Sequence, residues 1–149
     1  MEVSFYHLQS QPLEKALPVL LEKTRERGWK AVVEVGTVER RKALDDLLWT
    51  YSERSFLAHG VDADADSAMH PILLTLARAN ANGAEIRFLV DGARFGDDLV
   101  GYERIALIFD GEDPDQLAAA RSDWKLVKAA GHPAAYWRQN ESGRWEKAA

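Results

Sequence analysis

Apolar positions along the chain switch between a period of two and a period near 3.6. Val3 to Leu8 ("VSFYHL") is a short β-prone run. The next segment, "SQPLEKALPVLLEKTRERG", sets Leu13, Leu17, Leu20 and Leu21 on one helical face and is closed by Gly28. Pro18 sits early in that helix and leaves its first turn unsettled. "KAVVEVG" predicts a second strand and "TVERRKALDDLLW" a second helix with Leu44, Leu47 and Leu48 pointing inward. "SFLAHG" fits a short strand or an extended loop, and the β-prone runs "HPILLTL" and "AEIRFLVDG" are separated by the turn-forming "ANANG". "RIALIFDG" reads as a buried strand, because Ile105 to Phe109 is continuously apolar between turn residues. In "EDPDQLAAARSDWKLVKAAG", Asp113 suits an N-cap, Pro114 the first helical position and Gly131 the terminator. Strands and helices alternating through short connections predict an α/β fold: a single three-layer domain over residues 1–149, with a central, largely parallel sheet flanked by helices.

Composition narrows the setting. With 149 residues, 46% of them hydrophobic, the chain can bury one sizeable core. It has no cysteine, which excludes disulfides and thiolate metal sites and suits a reducing compartment. Met1 to Ser10 lacks a cationic head before an apolar core, and no window approaches the roughly 20 apolar residues of a membrane span, so a cytoplasmic, untargeted protein is expected. The net charge of −5 argues against a general nucleic-acid binder, since a phosphate backbone selects for surplus Lys and Arg. That total is uneven. Residues 1–120 carry 13 Lys/Arg against 21 Asp/Glu, a balance of −8, whereas residues 121–149 carry 6 against 3, a balance of +3.

Patterns that would signal catalysis are incomplete. In "EVGTVERRKALDD" Gly36 is followed by bulky residues, no second glycine is present and Lys42 precedes Ala43, so the turn lacks the run of backbone donors and the hydroxyl of a phosphate-binding loop. Asp62, Asp64 and Asp66 alternate as in a calcium loop, but Ser67 and Leu73 stand where that loop needs glycine and glutamate; a solvated acidic loop is expected. His7, His59, His70 and His132 lack the spacing of a helical zinc site and read as capping or packing residues. No serine occupies a nucleophile elbow, and Asp45–Asp46 and Asp97–Asp98 diverge as sequence neighbours. No catalytic residue, metal or cofactor is expected.

The cationic end carries three of the five tryptophans. At about 100° per residue, Arg121, Trp124, Lys125 and Lys128 share one helical face, and Ala119, Ala120, Leu126, Val127 and Ala130 the opposite, core-directed one. Asp123 falls within the apolar arc without explanation. The first set suits either stacked bases or an acidic peptide with an apolar anchor; the plain alternative is a solvated face whose tryptophan packs on a neighbour.

"FYHL", "LDDLLWTYSERSFLAHG" and "RIALIFDGEDPDQLAAARSDWKLVKAAGHPAAYWRQNESGRWEKAA" together resemble the chi subunit of bacterial DNA polymerase III, a clamp-loader accessory protein. The resemblance implies a domain related to nucleotide-binding folds but without a nucleotide site. It also implies that the last helix holds the acidic C-terminal tail of single-stranded-DNA-binding protein, which ends in Asp residues, Ile-Pro-Phe and a free carboxylate. The positions that match are Arg121, Trp124 and Lys125, with Trp in place of the more familiar Tyr, while Leu117 replaces a basic position and Lys128 is a further cation. A second surface, at Trp49 and Phe56, is implied to dock the psi subunit or a helicase partner, unless both rings are core. The expected role is a non-catalytic bridge between clamp loader and coated template; the competing readings are a nucleotide-dependent enzyme on a Rossmann-like fold and a direct single-strand binder.

Overall fold

The computed structural model describes residues 1–51 and 57–149 and arranges its described strands in one sheet. The elements in chain order are β1 (Glu2–Leu8), α1 (Leu13–Glu26), β2 (Ala31–Glu34), α2 (Val38–Thr50), β3 (Gly60–Val61), a 3-10 turn (Ser67–Met69), β4 (Ile72–Thr75), β5 (Ile86–Leu89), β6 (Arg104–Asp110), α3 (Pro114–Ala129), β7 (Ala134–Gln139) and β8 (Trp145–Lys147). The strand order is β3-β4-β2-β5-β6-β1-β7-β8, with every pair parallel except the terminal β7–β8 hairpin. This is the α/β fold that the alternating pattern predicts.

β1 and β6 lie at the centre, paired from Glu2↔Arg104 to Leu8↔Asp110. Both are largely buried on both faces because helices cover both sides. On one side Leu17 and Leu21 of α1 and Leu44 and Leu48 of α2 pack against Val33, Ile86 and Ile108. On the other, Ala120 and Val127 of α3 pack with Phe5, Leu107 and Phe109. Arg87 is one of the charged groups in this interior: it is fully buried in β5, and its guanidinium donates to Glu34 at 2.7 Å and to the Tyr102 hydroxyl at 2.9 Å, which satisfies the charge.

Helix α1 continues through Pro18, whose ring is buried. Helix α3 starts as expected, with the Asp113 carboxylate accepting from the Asp115 and Gln116 N–H groups, and stops at Gly131, whose φ of 81° few other residues adopt readily. Its rotation differs from the sequence expectation. The buried line is Ala120, Asp123 and Val127, while Leu126 is 52% exposed and Ala130 is exposed. The reason is Asp123. Its carboxylate, 1% exposed, accepts from Arg94 Nη2 at 2.7 Å, from Arg94 Nε at 3.0 Å and from the Phe95 N–H at 3.2 Å, so a charged residue takes the inward position that Leu126 was expected to share.

The segment after Gly131 is strand, not helix tail. β7 adds to the free side of β1 from Val3↔Ala134 to His7↔Arg138, and a turn returns the chain as β8. Asn140 builds that turn by accepting from the Ser142 and Arg144 N–H groups, with Gly143 at φ 83°. Among the described residues, no helix is long and apolar enough to cross a membrane.

Candidate peptide-docking cleft

A cleft of about 520 Å³ opens between α3 and the C-terminal ends of β1, β6 and β7. Helix α3 contributes Leu117, Ala120, Arg121, Trp124 and Lys125, and the strands contribute His7, Phe109, Tyr136 and Arg138. Three of the four residues expected on the helical stripe therefore line one cavity. Lys128 does not line it, but its Nζ lies 5.4 Å from the centre of the Trp124 ring. Leu117, the position without a cation, forms apolar lining.

Trp124 is both wall and packing residue. Its ring meets Phe5 edge-on at 5.2 Å and Tyr136 at 5.8 Å, so the part facing the cleft is held by the core behind it. The aromatic end of the chain is divided by the sheet. Successive β7 residues face opposite sides, so Tyr136 and Arg138 join Trp124, whereas Trp137 and Trp145 pack on Tyr6 on the α1 side. Neither of those two tryptophans lines the cleft.

Arg121, Lys125 and Arg138 give the cleft lining a local excess of positive charge. Arg40, Arg41, Arg78, Arg87 and Arg94 each form an ion pair within the chain. Among the described residues Arg121, Lys125, Lys128 and Arg138 form none, in a protein with five surplus negative charges. Three cations lining an aromatic-walled cavity, with Lys128 at its border and the C-terminal residue Ala149 as a further lining residue, are suited to an external acidic ligand. His7 senses them: burial first, and then the charges of Arg138 and Arg121 against the opposing charge of Asp110, holds its pKa below the ordinary imidazole range.

The other candidates fall elsewhere. Trp49, 52% exposed on α2, lies in the helix layer across the sheet, with its ring 4.3 Å from that of His59. Phe56 lies outside the described residues. At the turn after β2, a Cβ on Gly36 would come within 2.6 Å of the Asp91 carbonyl oxygen, and the carboxylates of Asp91 and Glu14 hold Arg40 at 2.9 and 2.7 Å. Burial alone would raise Glu14, but the Arg40 hydrogen bond overrides it and keeps the group below the usual carboxylate range. Two carboxylates at the start of α2 oppose a phosphate there. Within the acidic loop, Asp62 accepts from the Thr75 hydroxyl at 2.8 Å and pairs with Arg41. Asp64, Asp66 and His70 converge so that one donor atom from each lies within 4.8 Å of the others, a donor set of the kind a divalent cation takes. His70 Nε2 is 3.3 Å from both carboxylates.

Comparison with known proteins agrees with this architecture. Residues 1–135 match the family described as DNA polymerase III chi subunit, HolC. The chain is also 32% identical over 89 residues to the probable DNA polymerase III subunit chi of Rickettsia prowazekii (strain Madrid E), a stretch covering 60% of this chain and 54% of that protein. The chain thus spans about half the length of the curated relative it matches. The family match takes in every element from β1 to α3, including the helix with the cationic stripe, and on it the chain belongs to the DNA polymerase III chi subunit family.

Proposed function

We propose that this protein is a non-catalytic accessory subunit of the DNA polymerase III holoenzyme that docks the acidic C-terminal tail of single-stranded-DNA-binding protein and so bridges the clamp loader to the coated template. The observation that carries this reading is the cleft lined by Arg121, Lys125 and Arg138 and bordered by Lys128, cations that pair with no carboxylate among the described residues. Arg121 and Lys125 flank the part of Trp124 that faces the cavity, and Leu117, Ala120 and Phe109 offer an apolar seat. An acidic peptide ending in phenylalanine matches both properties, its carboxylates meeting the cations and its ring the seat. A second surface at Trp49 and Phe56 would take the psi subunit or another clamp-loader or helicase partner.

Fluorescence anisotropy of an N-terminally labelled tail peptide tests the docking. Charge-assisted hydrogen bonds contribute about 1.5–3 kcal/mol, so Arg121→Ala is expected to weaken binding by roughly ten- to a hundredfold. Trp124→Tyr keeps an aromatic seat and should be tolerated, and added salt should weaken the wild type. A peptide lacking its terminal Phe should not bind although every acidic residue remains. If it bound as well as the full tail, the cleft would be a plain electrostatic patch and the reading would fail.

A further inference from the structure

We infer that β7 forms the second wall of this cleft and that Arg138 on it holds the free terminal carboxylate of the docked peptide; the inference rests on the tail reading above. The helix alone presents a row. Arg121, Lys125 and Lys128 stand four and then three residues apart, about 6 and 4.5 Å along the axis of α3, which suits successive side-chain carboxylates of an extended chain. A terminal aromatic ring has to leave that row to enter the apolar seat, and its own α-carboxylate is then carried toward the opposite wall. That wall is Tyr136 and Arg138, with Ala149 of the paired C-terminal segment beside Tyr136.

The wall is built to hold its shape. The Tyr136 hydroxyl and His7 Nδ1 share a hydrogen bond at 2.5 Å, and the Tyr136 ring packs edge-on against Trp124 at 5.8 Å and Phe109 at 6.1 Å. A Cβ on Gly111 would lie 1.8 Å from His7 Nε2, so only glycine leaves His7 room to brace the tyrosine. Arg138 lays its guanidinium carbon 5.7 Å from the Tyr136 ring centre, exposed and without an ion pair among the described residues. It mirrors Lys128 over Trp124. A planar guanidinium over a fixed ring presents paired N–H donors in a set plane, the geometry that grips a carboxylate with two bonds, where an ammonium offers a point charge. Arg121 from α3 and Arg138 from β7 line the same cavity.

The test couples a residue to a chemical group on the ligand. An N-terminally labelled tail peptide is prepared with a free C-terminal carboxylate and as the C-terminal amide, and titrated by anisotropy against wild type, Arg138→Ala, Arg138→Lys and Arg121→Ala at fixed salt. Arg138→Ala is expected to weaken the free-acid peptide about tenfold and to leave the amide nearly unchanged, because amidation has already removed the group that Arg138 holds. Arg138→Lys should recover part of the loss. Equal weakening of acid and amide by Arg138→Ala, or no weakening of either, overturns the assignment. If Arg121→Ala weakens the acid peptide while Arg138 shows no such coupling, only this inference falls. If the free-acid peptide does not bind wild type at all, the tail reading falls and takes this inference with it.

Discussion

Asp123 and Arg94 form an ion pair whose two halves should cost unequal amounts to remove. Asp123 is 1% exposed and Arg94 47%, although they share three contacts between 2.7 and 3.1 Å. Removing the arginine leaves an anion in the core, with the Phe95 N–H as its remaining partner. Stripping one side of a buried pair costs about 3–5 kcal/mol, and the lower end applies because the exposed guanidinium is already partly screened by water. Asp123→Asn instead keeps a hydrogen-bonding amide in the same space and returns Arg94 to solvent, at about 1–2 kcal/mol. At roughly 2–4 °C per kcal/mol for a chain of this size, Arg94→Ala should lower the melting temperature by about 6–12 °C and Asp123→Asn by about 2–8 °C. The Arg94→Ala penalty should also shrink on acidification. An unpaired buried carboxyl has its folded pKa raised above the unfolded value near 3.9, so the variant regains stability as the pH falls toward that value and loses it as the pH rises. Differential scanning calorimetry of both variants at neutral pH and near pH 5 measures each quantity. An Asp123→Asn cost equal to or above that of Arg94→Ala, or a penalty independent of pH, would refute the asymmetry.

Trp49→Ala should cost about 1–2 kcal/mol in a thermal melt, below the 3–5 kcal/mol of a fully buried tryptophan, because half the ring is already in water; a loss above about 3 kcal/mol would make it a core residue and not a docking surface. The lowered His7 pKa means that the unfolded state binds more protons than the folded one as the pH drops below about 6.5, so stability present above that pH is lost on acidification. Urea denaturation at pH 7.5 and 5.5 should therefore show a steeper pH dependence for wild type than for His7→Gln, and equal slopes would count against the assignment.

From β1 to α3 the strands and helices were legible where a local pattern repeats, with the two-residue β3 left open between strand and loop. Leu13, Leu17, Leu20 and Leu21 mark α1, the unbroken run from Ile105 to Phe109 marks β6, and Asp113, Pro114 and Gly131 bracket α3. β7 was not legible, because its identity as a strand depends on pairing with β1 about 130 residues earlier, and "PAAYWRQ" between a glycine and a polar turn offers too short an alternation to show it. The cleft was half visible for the same reason. Arg121, Trp124 and Lys125 share a helical face by spacing alone, whereas His7, Phe109, Tyr136 and Arg138 reach the cavity only through the parallel order β6-β1-β7. In hindsight the signal for the missing pair is parity: Tyr136 and Arg138 are two apart and so share a face of any strand. Leu126 was assigned inward because hydrophobicity alone cannot foresee that a partner 29 residues away in sequence will draw Asp123 into the core.

The two edges of the sheet are its two shortest described strands, β3 with two residues and β8 with three, and β8 carries the exposed charges Glu146 and Lys147. A brief edge, charged at β8, is a poor template for a foreign strand, which disfavours strand addition by either a partner or a second copy. Such edges favour recognition through side chains on the helix-covered faces. Main-chain pairing would tolerate almost any extended sequence and change little with ionic strength; contacts made through guanidinium, ammonium and aromatic groups discriminate by composition and loosen as salt rises. An assembly held together in that way can exchange its ligands without opening its sheet.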